Sequence, residues 1–157
     1  MNNYIKNNFN IVETYEKNEF QEIKIGTAID DSDKIVAINL LDKSSFNNKL
    51  SFVLESSLQN LIYINDDNDK LSIITKYYEG ASLDKYLKEM NLSMETKAEL
   101  GRIYLEKIKK YKKLSNLFKY ILVHENQIVI NEEGLFLNEL ILFSNTEKKS
   151  FKEVEKR

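Results

Sequence analysis

The stretch KIVAINLLDK, residues 34–43, decides the fold prediction. A short apolar run between charged residues is typical of a strand buried in a sheet, and Asn39 alone interrupts this one. The two segments before it, residues 8–16 and 20–29, alternate apolar and polar side chains around a polar turn, which predicts an antiparallel hairpin. A second polar turn, DDSD, leads into residue 34. We therefore expect three consecutive antiparallel strands.

Two further strands are predicted after a weak helix. Residues 45–61 carry apolar side chains at helical spacing, although their Ser and Asn content lowers the helix propensity. Residues 61–66 and 70–78 flank the turn DDND and have the apolar character of strands. The first half of the chain thus predicts a five-stranded antiparallel sheet with one helix.

The periodicity becomes helical after residue 80. Ser82 is placed to cap a short helix with Asp84 in its first turn, and Ser93 to cap a long helix over residues 93–114. The charged face of the long helix reads as a solvated surface. Strands are then predicted at residues 119–123, 127–133 and 135–143, with a turn at Gly134. The polar tail is predicted to begin a helix. Together these elements predict an α+β fold.

Composition excludes several classes of function. The chain has no cysteine and one histidine, so zinc-thiolate sites, disulfides and His-rich metal sites are not expected. A net charge of −2, and the lack of an RNA-reading motif beside the lysine-rich EKIKKYKK, argue against a nucleic-acid partner. We see no leader peptide and no apolar run of the length that spans a bilayer. These features predict a cytoplasmic protein with no cofactor or metal.

Three stretches, in this order, resemble protein kinases. FQEIKIGTAID followed by KIVAINLLD is similar to the kinase strands V-x-x-A-x-D and V-A-I-K. LSIITKYYEGASLDKYLKE is similar to the kinase hinge and the helix after it, and QIVINEEGLFLNEL is similar to the N-I-L-I-D-x-x-G-x-x-K-L hairpin after the catalytic loop. The predicted order of strands and helices also matches a kinase. The alternative is an unrelated α+β domain with a five-stranded sheet and two helices.

The resemblance implies a division of the chain. Residues 1–145 would form the kinase-like domain, with an N-terminal lobe up to about residue 80 and a partial C-terminal lobe over residues 81–145. Residues 146–157 would be a polar tail or a junction to a further segment. The plan is similar to the cytoplasmic, inactive kinase-like domain of membrane-anchored proteins in bacterial type VII secretion (the EssB/YukC group).

The charges that kinase chemistry needs are missing from the matching positions. Phosphoryl transfer depends on positioning and on charge stabilisation. Asn39 stands where the resemblance implies the phosphate-binding lysine, and the turn between the first two strands has no glycine and several carboxylates. Glu55, the only candidate for the glutamate that pairs with that lysine, is expected at the surface.

Both catalytic aspartates are also missing, because the chain has no aspartate beyond Asp84. Gln127 stands near the position of the kinase loop asparagine, and Asn138-Glu139-Leu140 stands where the metal-binding D-F-G would fall. We expect Glu139 to be an edge or solvent-facing residue of an apolar strand, and His124 to be a turn residue satisfied by hydrogen bonds. Neither is assigned a catalytic or metal-binding role.

The sequence therefore predicts a non-catalytic, pseudokinase-like module that binds a protein partner or self-associates, as the cytoplasmic part of a larger bacterial protein. A membrane would be reached only through a segment outside this chain. The edge strands and the segment KYYEGASL, with Tyr77 and Tyr78, are the predicted docking surfaces. Two alternatives remain: a nucleotide-binding sensor without phosphotransfer, and an atypical phosphotransferase with rearranged residues.

Overall fold

The computed structural model describes residues 2–42, 50–67 and 69–143 of the chain. The chain divides into two compact units, the first made of Met1–Ser56 and Asn60–Tyr77, the second of Ser57–Gln59 and the residues from Tyr78 onward. The predicted α+β class with a five-stranded antiparallel sheet is confirmed.

The first unit is built on one antiparallel sheet with the strand order β1-β2-β3-β5-β4. Its strands lie within two residues of the predicted bounds, because polar turns mark most of their ends. They are β1 Phe9–Lys17, β2 Gln21–Ala28, β3 Ile35–Asp42, β4 Leu61–Asp66 and β5 Lys70–Lys76. The central strand β3 is the stretch that decided the prediction, and it pairs with β2 on one side and β5 on the other.

One face of this sheet is covered by a short helix that the sequence did not predict. Helix α1, Asn3–Asn8, is capped by Asn2, whose side chain accepts the N–H of Ile5 at 2.9 Å. Ile5 is fully buried, and Tyr4 stacks on Tyr63 with ring centroids 3.8 Å apart. The buried cluster on this face contains Ile5, Phe9, Ala28, Val36, Ile38, Leu40 and Ile74.

One helix lies between β3 and β4 in the described residues 50–60. Helix α2, Leu50–Ser57, ends four residues before the predicted end at residue 61 and buries Leu54 completely. The part of that prediction at residues 45–49 lies outside the described residues, as does the predicted tail helix.

The second unit contains three capped helices. Ser82, Ser93 and Ser115 accept backbone N–H groups of the first turns of α3 Leu83–Glu89, α4 Met94–Ile108 and α5 Asn116–Leu122. The caps predicted at Ser82 and Ser93 are confirmed. Helix α4 ends at Ile108, earlier than predicted, and continues as a 3-10 turn over Lys109–Tyr111.

A three-stranded antiparallel sheet completes the second unit. It has the order β6-β7-β8, with β6 Ala81–Ser82, β7 Ile128–Asn131 and β8 Gly134–Leu137. Gly134 has φ of 135°, a conformation that glycine adopts without strain, so the predicted turn is confirmed at this residue. Gly80 brings the chain against β7, since an added Cβ would lie 2.5 Å from the carbonyl oxygen of Ile130.

Two strand predictions in this unit are wrong. Residues 119–123 were predicted as a strand but belong to α5, because Ser115 caps a turn and four buried side chains recur at helical spacing: Leu117, Phe118, Ile121 and Leu122. Residues 135–143 were predicted as one strand, but β8 ends at Leu137. Glu139 has a positive φ of 55°, which no extended strand allows.

Within the described part of the chain, no helix has both the length and the apolar character needed to cross a bilayer.

Candidate functional site

Asn39 lies in the middle of β3 with a buried side chain. Its direct cross-strand neighbours are Ile23 on β2 and Ile73 on β5, both buried. In this aliphatic environment its Oδ1 accepts a hydrogen bond from Nε2 of Gln21 at 3.0 Å, and Gln21 is also buried. A buried amide without hydrogen bonds would lower the stability of the fold. The bond between Gln21 and Asn39 satisfies one donor of the first side chain and the acceptor of the second. Asn39 therefore belongs to the internal packing of the first sheet.

The turn between β1 and β2 is fixed by the side chain of Asn18. Its Oδ1 accepts the N–H groups of Phe20 at 2.9 Å and of Gln21 at 3.1 Å, which is the local side-chain bonding that asparagine favours in turns. The backbone N–H of Asn18 donates to the carbonyl of Gln21 at 2.9 Å. Three backbone N–H groups of the turn thus donate hydrogen bonds within the turn itself. The resemblance implies a phosphate-binding glycine loop at this place.

One acidic residue next to this turn, Glu22, pairs with nearby lysines. Glu22 forms an ion pair with Lys24 at 2.8 Å and lies 3.7 Å from Lys17. The hydrogen bond from Lys24 lowers the pKa of the Glu22 carboxyl, with smaller contributions from the charges of Lys24, Lys17 and Lys70. These lysines serve an acidic side chain of the same sheet.

Gln127 is fully buried in the second unit, at the end of a 3-10 turn. Its Nε2 donates to the carbonyls of Ile121 and Leu140, and its Oε1 accepts the N–H of Leu140 at 2.9 Å. One side chain therefore connects the end of α5 to the segment after β8, and satisfies three backbone groups, one in the last turn of α5 and two of Leu140.

Asn138 forms a two-point contact with the backbone of Tyr78. Its Oδ1 accepts the N–H of Tyr78 at 2.7 Å and its Nδ2 donates to the carbonyl of Tyr78 at 3.1 Å. The amide thus reproduces the paired donor and acceptor of a β-bridge. Next to it the ring of Tyr78 stacks on Phe136, with centroids 4.2 Å apart and planes 9° from parallel.

Glu139 is buried, which corrects the prediction that it faces solvent or an edge. Only 2% of the residue is exposed, and its Oε2 accepts hydrogen bonds from the Tyr111 hydroxyl at 2.6 Å and from the backbone N–H of Gln59 at 2.9 Å. The prediction failed because it assumed a continuous strand, whereas the left-handed backbone at Glu139 turns the side chain inward. Burial, followed by the charge and hydrogen bond of Glu139, raises the pKa of Tyr111 far above its ordinary value.

Gln59 adds a further contact to this arrangement. Its side-chain Nε2 donates to the carbonyl of Lys107 at 2.7 Å, near the end of α4. Tyr111 and Gln59 were missed by the sequence reasoning, as was Gln21 beside Asn39. The available signal was Tyr111, an aromatic residue on the predicted apolar face of the long helix, but no local pattern indicates that it would meet Glu139, 28 residues away.

His124 and Glu55 lie in a turn and on the surface, as the sequence predicts. The docking role of Tyr77 and Tyr78 stays a prediction. His124 caps the 3-10 turn, since its Nδ1 accepts the N–H of Asn126 at 3.2 Å. Glu55 is exposed on α2. Tyr77 and Tyr78 are half-buried, and the N–H of Tyr77 donates to the carbonyl of Ile35 at 3.0 Å.

An apolar cavity of about 450 Å³ lies in the second unit between α3, α4 and the β7-β8 hairpin. Its lining includes Leu83, Leu87, Leu100, Tyr104, Ile128 and Leu135, with Lys97 and Glu125 as the charged residues. None of the four positions that the resemblance singles out, Asn39, Gln127, Asn138 and Glu139, is among the residues that line it. Among residues 2–42, 50–67 and 69–143, no three His, Asp or Glu side chains are grouped closely enough to hold a metal ion.

Comparison of the sequence with protein-family models finds no match, and comparison with curated proteins finds no relative.

Proposed function

We propose that the chain is a non-catalytic, pseudokinase-like interaction module that acts as a scaffold for a protein partner or for a second copy of itself. The element order supports the kinase-like part of this proposal. Three strands, a helix, two strands, a short helix, a longer helix and a hairpin occur along the chain in the order that the resemblance implies, and α1, β6 and α5 are additional elements. The module belongs to the cytoplasmic side of a larger bacterial protein, and any membrane contact is made through a segment outside this chain.

One observation carries the non-catalytic part of the proposal. Asn39, Gln127, Asn138 and Glu139 are all buried, and each has a side chain hydrogen-bonded to a group of its own unit. A kinase needs the residues at these positions to face a nucleotide and its metal ions. Here the same positions contribute to the fold.

The chemistry of these side chains supports the same conclusion. An amide donates and accepts hydrogen bonds, but it does not neutralise phosphate charge as a lysine does. Glu139 is the one of the four with a charge, and its Oε2 already accepts two hydrogen bonds from Tyr111 and Gln59. Phosphoryl transfer would have to proceed without its usual electrostatic contributions, each of which accounts for orders of magnitude in rate.

Thermal unfolding with ATP tests this proposal directly. Melting temperatures would be measured with ATP and EDTA, with ATP and Mg²⁺, and with ATP and Mn²⁺, because a ligand that binds the folded state raises its stability. We expect no shift in any condition and no phosphate transferred to the chain or to a generic protein substrate. A metal-dependent shift of several degrees, or measurable phosphotransfer, would contradict the proposal. A metal-independent shift would instead favour the nucleotide sensor.

A further inference from the structure

Helix α4 presents a regular apolar seam on its solvent side. The seam is defined by five residues whose spacing alternates between four and three: Met94, Ala98, Gly101, Leu105 and Ile108. This 4-3-4-3 spacing is the heptad pattern of helices that pack side by side. The seam extends over the whole of α4.

Most of the seam is not used by the fold of its own unit. Met94 is 78% exposed and Leu105 is 56% exposed, and none of the fifteen residues of α4, all of them described, is buried. Leu100, Ile103 and Tyr104 lie on another side of the helix and are half-buried, as is Ile108 at the end of the seam. Large apolar side chains exposed in such a row commonly mark an interaction surface.

Gly101, at the middle of the seam, lies at the edge of the apolar cavity between α3, α4 and the β7-β8 hairpin. A Cβ added there would meet nothing within 4 Å, so packing inside the unit does not require a glycine. Glycine in a helix interior costs about 1 kcal/mol relative to alanine, so the position lowers the stability of α4. Together with Ala98, one turn earlier, it allows another helix to approach the backbone of α4 closely.

The charges beside the seam fit an antiparallel copy of the same helix. When Ala98 of one copy lies opposite Gly101 of the other, Met94 lies opposite Leu105, so large side chains pair with large ones and small with small. In this register Glu95 of each copy flanks Arg102 of the other. Arg102 also bonds Glu99 of its own helix at 2.6 Å, and both of those side chains are largely exposed. The symmetric contact therefore contains two sets of opposite charges.

We propose that two copies of the chain associate through their α4 seams in this antiparallel register. The inference rests on the proposed function, of which it specifies the partner and the surface. A helix of fifteen residues is roughly 22 Å long, so the contact is small. Interfaces at the low end of the size range are weak and transient, and the dimer should form reversibly with rising protein concentration.

Charge reversal in analytical ultracentrifugation tests the pairing. The wild type should change from monomer to dimer as its concentration rises. Glu95→Arg and Arg102→Glu should each weaken the dimer by about tenfold or more, because each places like charges together twice. The double variant Glu95→Arg/Arg102→Glu should recover most of the affinity. Gly101→Gln, a good helix former of unchanged charge, should also weaken the dimer while leaving the monomer folded. A wild type that stays monomeric at millimolar concentration would overturn the inference.

Cysteine cross-linking tests the direction of the helices, and the natural chain has no cysteine to interfere. In the antiparallel register, position 94 lies opposite position 105 of the other copy. Two copies of position 94 are then eleven residues apart along the axis, about 16 Å, which is too far for a disulfide. Under mild oxidation, Met94→Cys alone and Leu105→Cys alone should remain uncross-linked, whereas a mixture of the two should yield a disulfide-linked dimer. Cross-linking of either variant alone would indicate parallel helices and overturn the register.

The non-catalytic module and the α4 dimer can each be refuted without refuting the other. A monomer that ignores nucleotides would refute the α4 dimer and leave the non-catalytic module in place. A dimer that binds metal and ATP would refute the non-catalytic function and leave the interface in place.

Discussion

Asn39 in the first unit and Glu139 in the second stand where the kinase resemblance implies charged residues, and they are buried in different ways. Asn39 pairs with another neutral amide, Gln21, between two aliphatic strands. Glu139 is a carboxyl group that accepts hydrogen bonds from a phenol and a backbone N–H. A neutral pair can be removed together at little cost, whereas a buried charge with dedicated donors cannot. We therefore expect the second unit to depend more strongly on Glu139 than the first unit depends on Asn39.

Removal of Glu139 should give the largest effect. Glu139→Ala leaves the Tyr111 hydroxyl and the Gln59 N–H without their acceptor, so we expect the free energy of unfolding to fall by about 3 kcal/mol. Glu139→Gln keeps an acceptor and should cost less. The measurement is chemical denaturation followed by far-UV circular dichroism, since the chain has no tryptophan. Glu132→Ala, at an exposed position of the same hairpin, is the matched control and should change the stability by less than about 0.5 kcal/mol. Equal stability of Glu139→Ala and the control would refute a structural role for Glu139.

Alkaline pH should reveal how much the second unit depends on the contact at Glu139, because the Tyr111 phenol that donates to Glu139 resists ionisation. Burial and the neighbouring carboxylate raise the pKa of Tyr111 in the folded state above the ordinary value of about 10. The stabilisation is then complete below pH 10 and declines as the pH rises above it, by about 1.4 kcal/mol per pH unit for this tyrosine. Urea denaturation between pH 8 and pH 11 measures this slope. In Tyr111→Phe the slope should be smaller by that amount, and an unchanged slope would contradict the assignment.

The neutral pair in the first unit should behave differently. Gln21→Leu or Asn39→Leu alone removes the hydrogen bond between the two buried amides, and we expect each to cost about 1 kcal/mol or slightly more. The double variant removes both partners, so its cost should be clearly lower than the sum of the two single costs. A double-mutant cycle of unfolding free energies measures this coupling. Strict additivity would indicate that the two amides do not depend on each other.

Replacing Gly101 should give the smallest expected change in stability. Replacing Gly80, in the same unit, is a control that should change the stability in the opposite direction. Gly101→Ala should stabilise the monomer by about 0.5–1 kcal/mol, since the new methyl group meets nothing and the helix propensity improves. Gly80→Ala should destabilise, because its Cβ would lie 2.5 Å from the carbonyl oxygen of Ile130. The comparison is made by thermal denaturation at a protein concentration low enough to keep the chain monomeric. Destabilisation by Gly101→Ala would show that the glycine has an internal role.

The first unit was predicted well because its signals are local. Alternating side chains indicated the first two strands, apolar runs indicated the other three, and polar turns separated them. The interrupted apolar run of β3 identified the centre of the sheet. Helix α1 was missed because its six residues carry a single buried side chain, Ile5, so no period could be seen.

The second unit was predicted less well after α4, because contacts distant in sequence determine its structure there. The apolar residues of α5 fit a strand as well as a helix, and Ser115 was the signal that distinguishes the two. The end of β8 at Leu137 depends on Asn138 and Glu139, whose partners Tyr78, Tyr111 and Gln59 lie between 28 and 80 residues away. The candidate positions were therefore identified from the sequence, but their burial and partners were not.

The variant Asn138→Asp tests most directly whether these positions serve the fold instead of nucleotide chemistry. It restores the aspartate that the resemblance implies, but it replaces the donor to the Tyr78 carbonyl with a negatively charged oxygen. We predict a lower free energy of unfolding at pH 7, a smaller loss at acidic pH where the new carboxyl can be protonated, and no gain in binding of ATP with Mg²⁺. Unchanged stability together with new metal-dependent ATP binding would contradict the account.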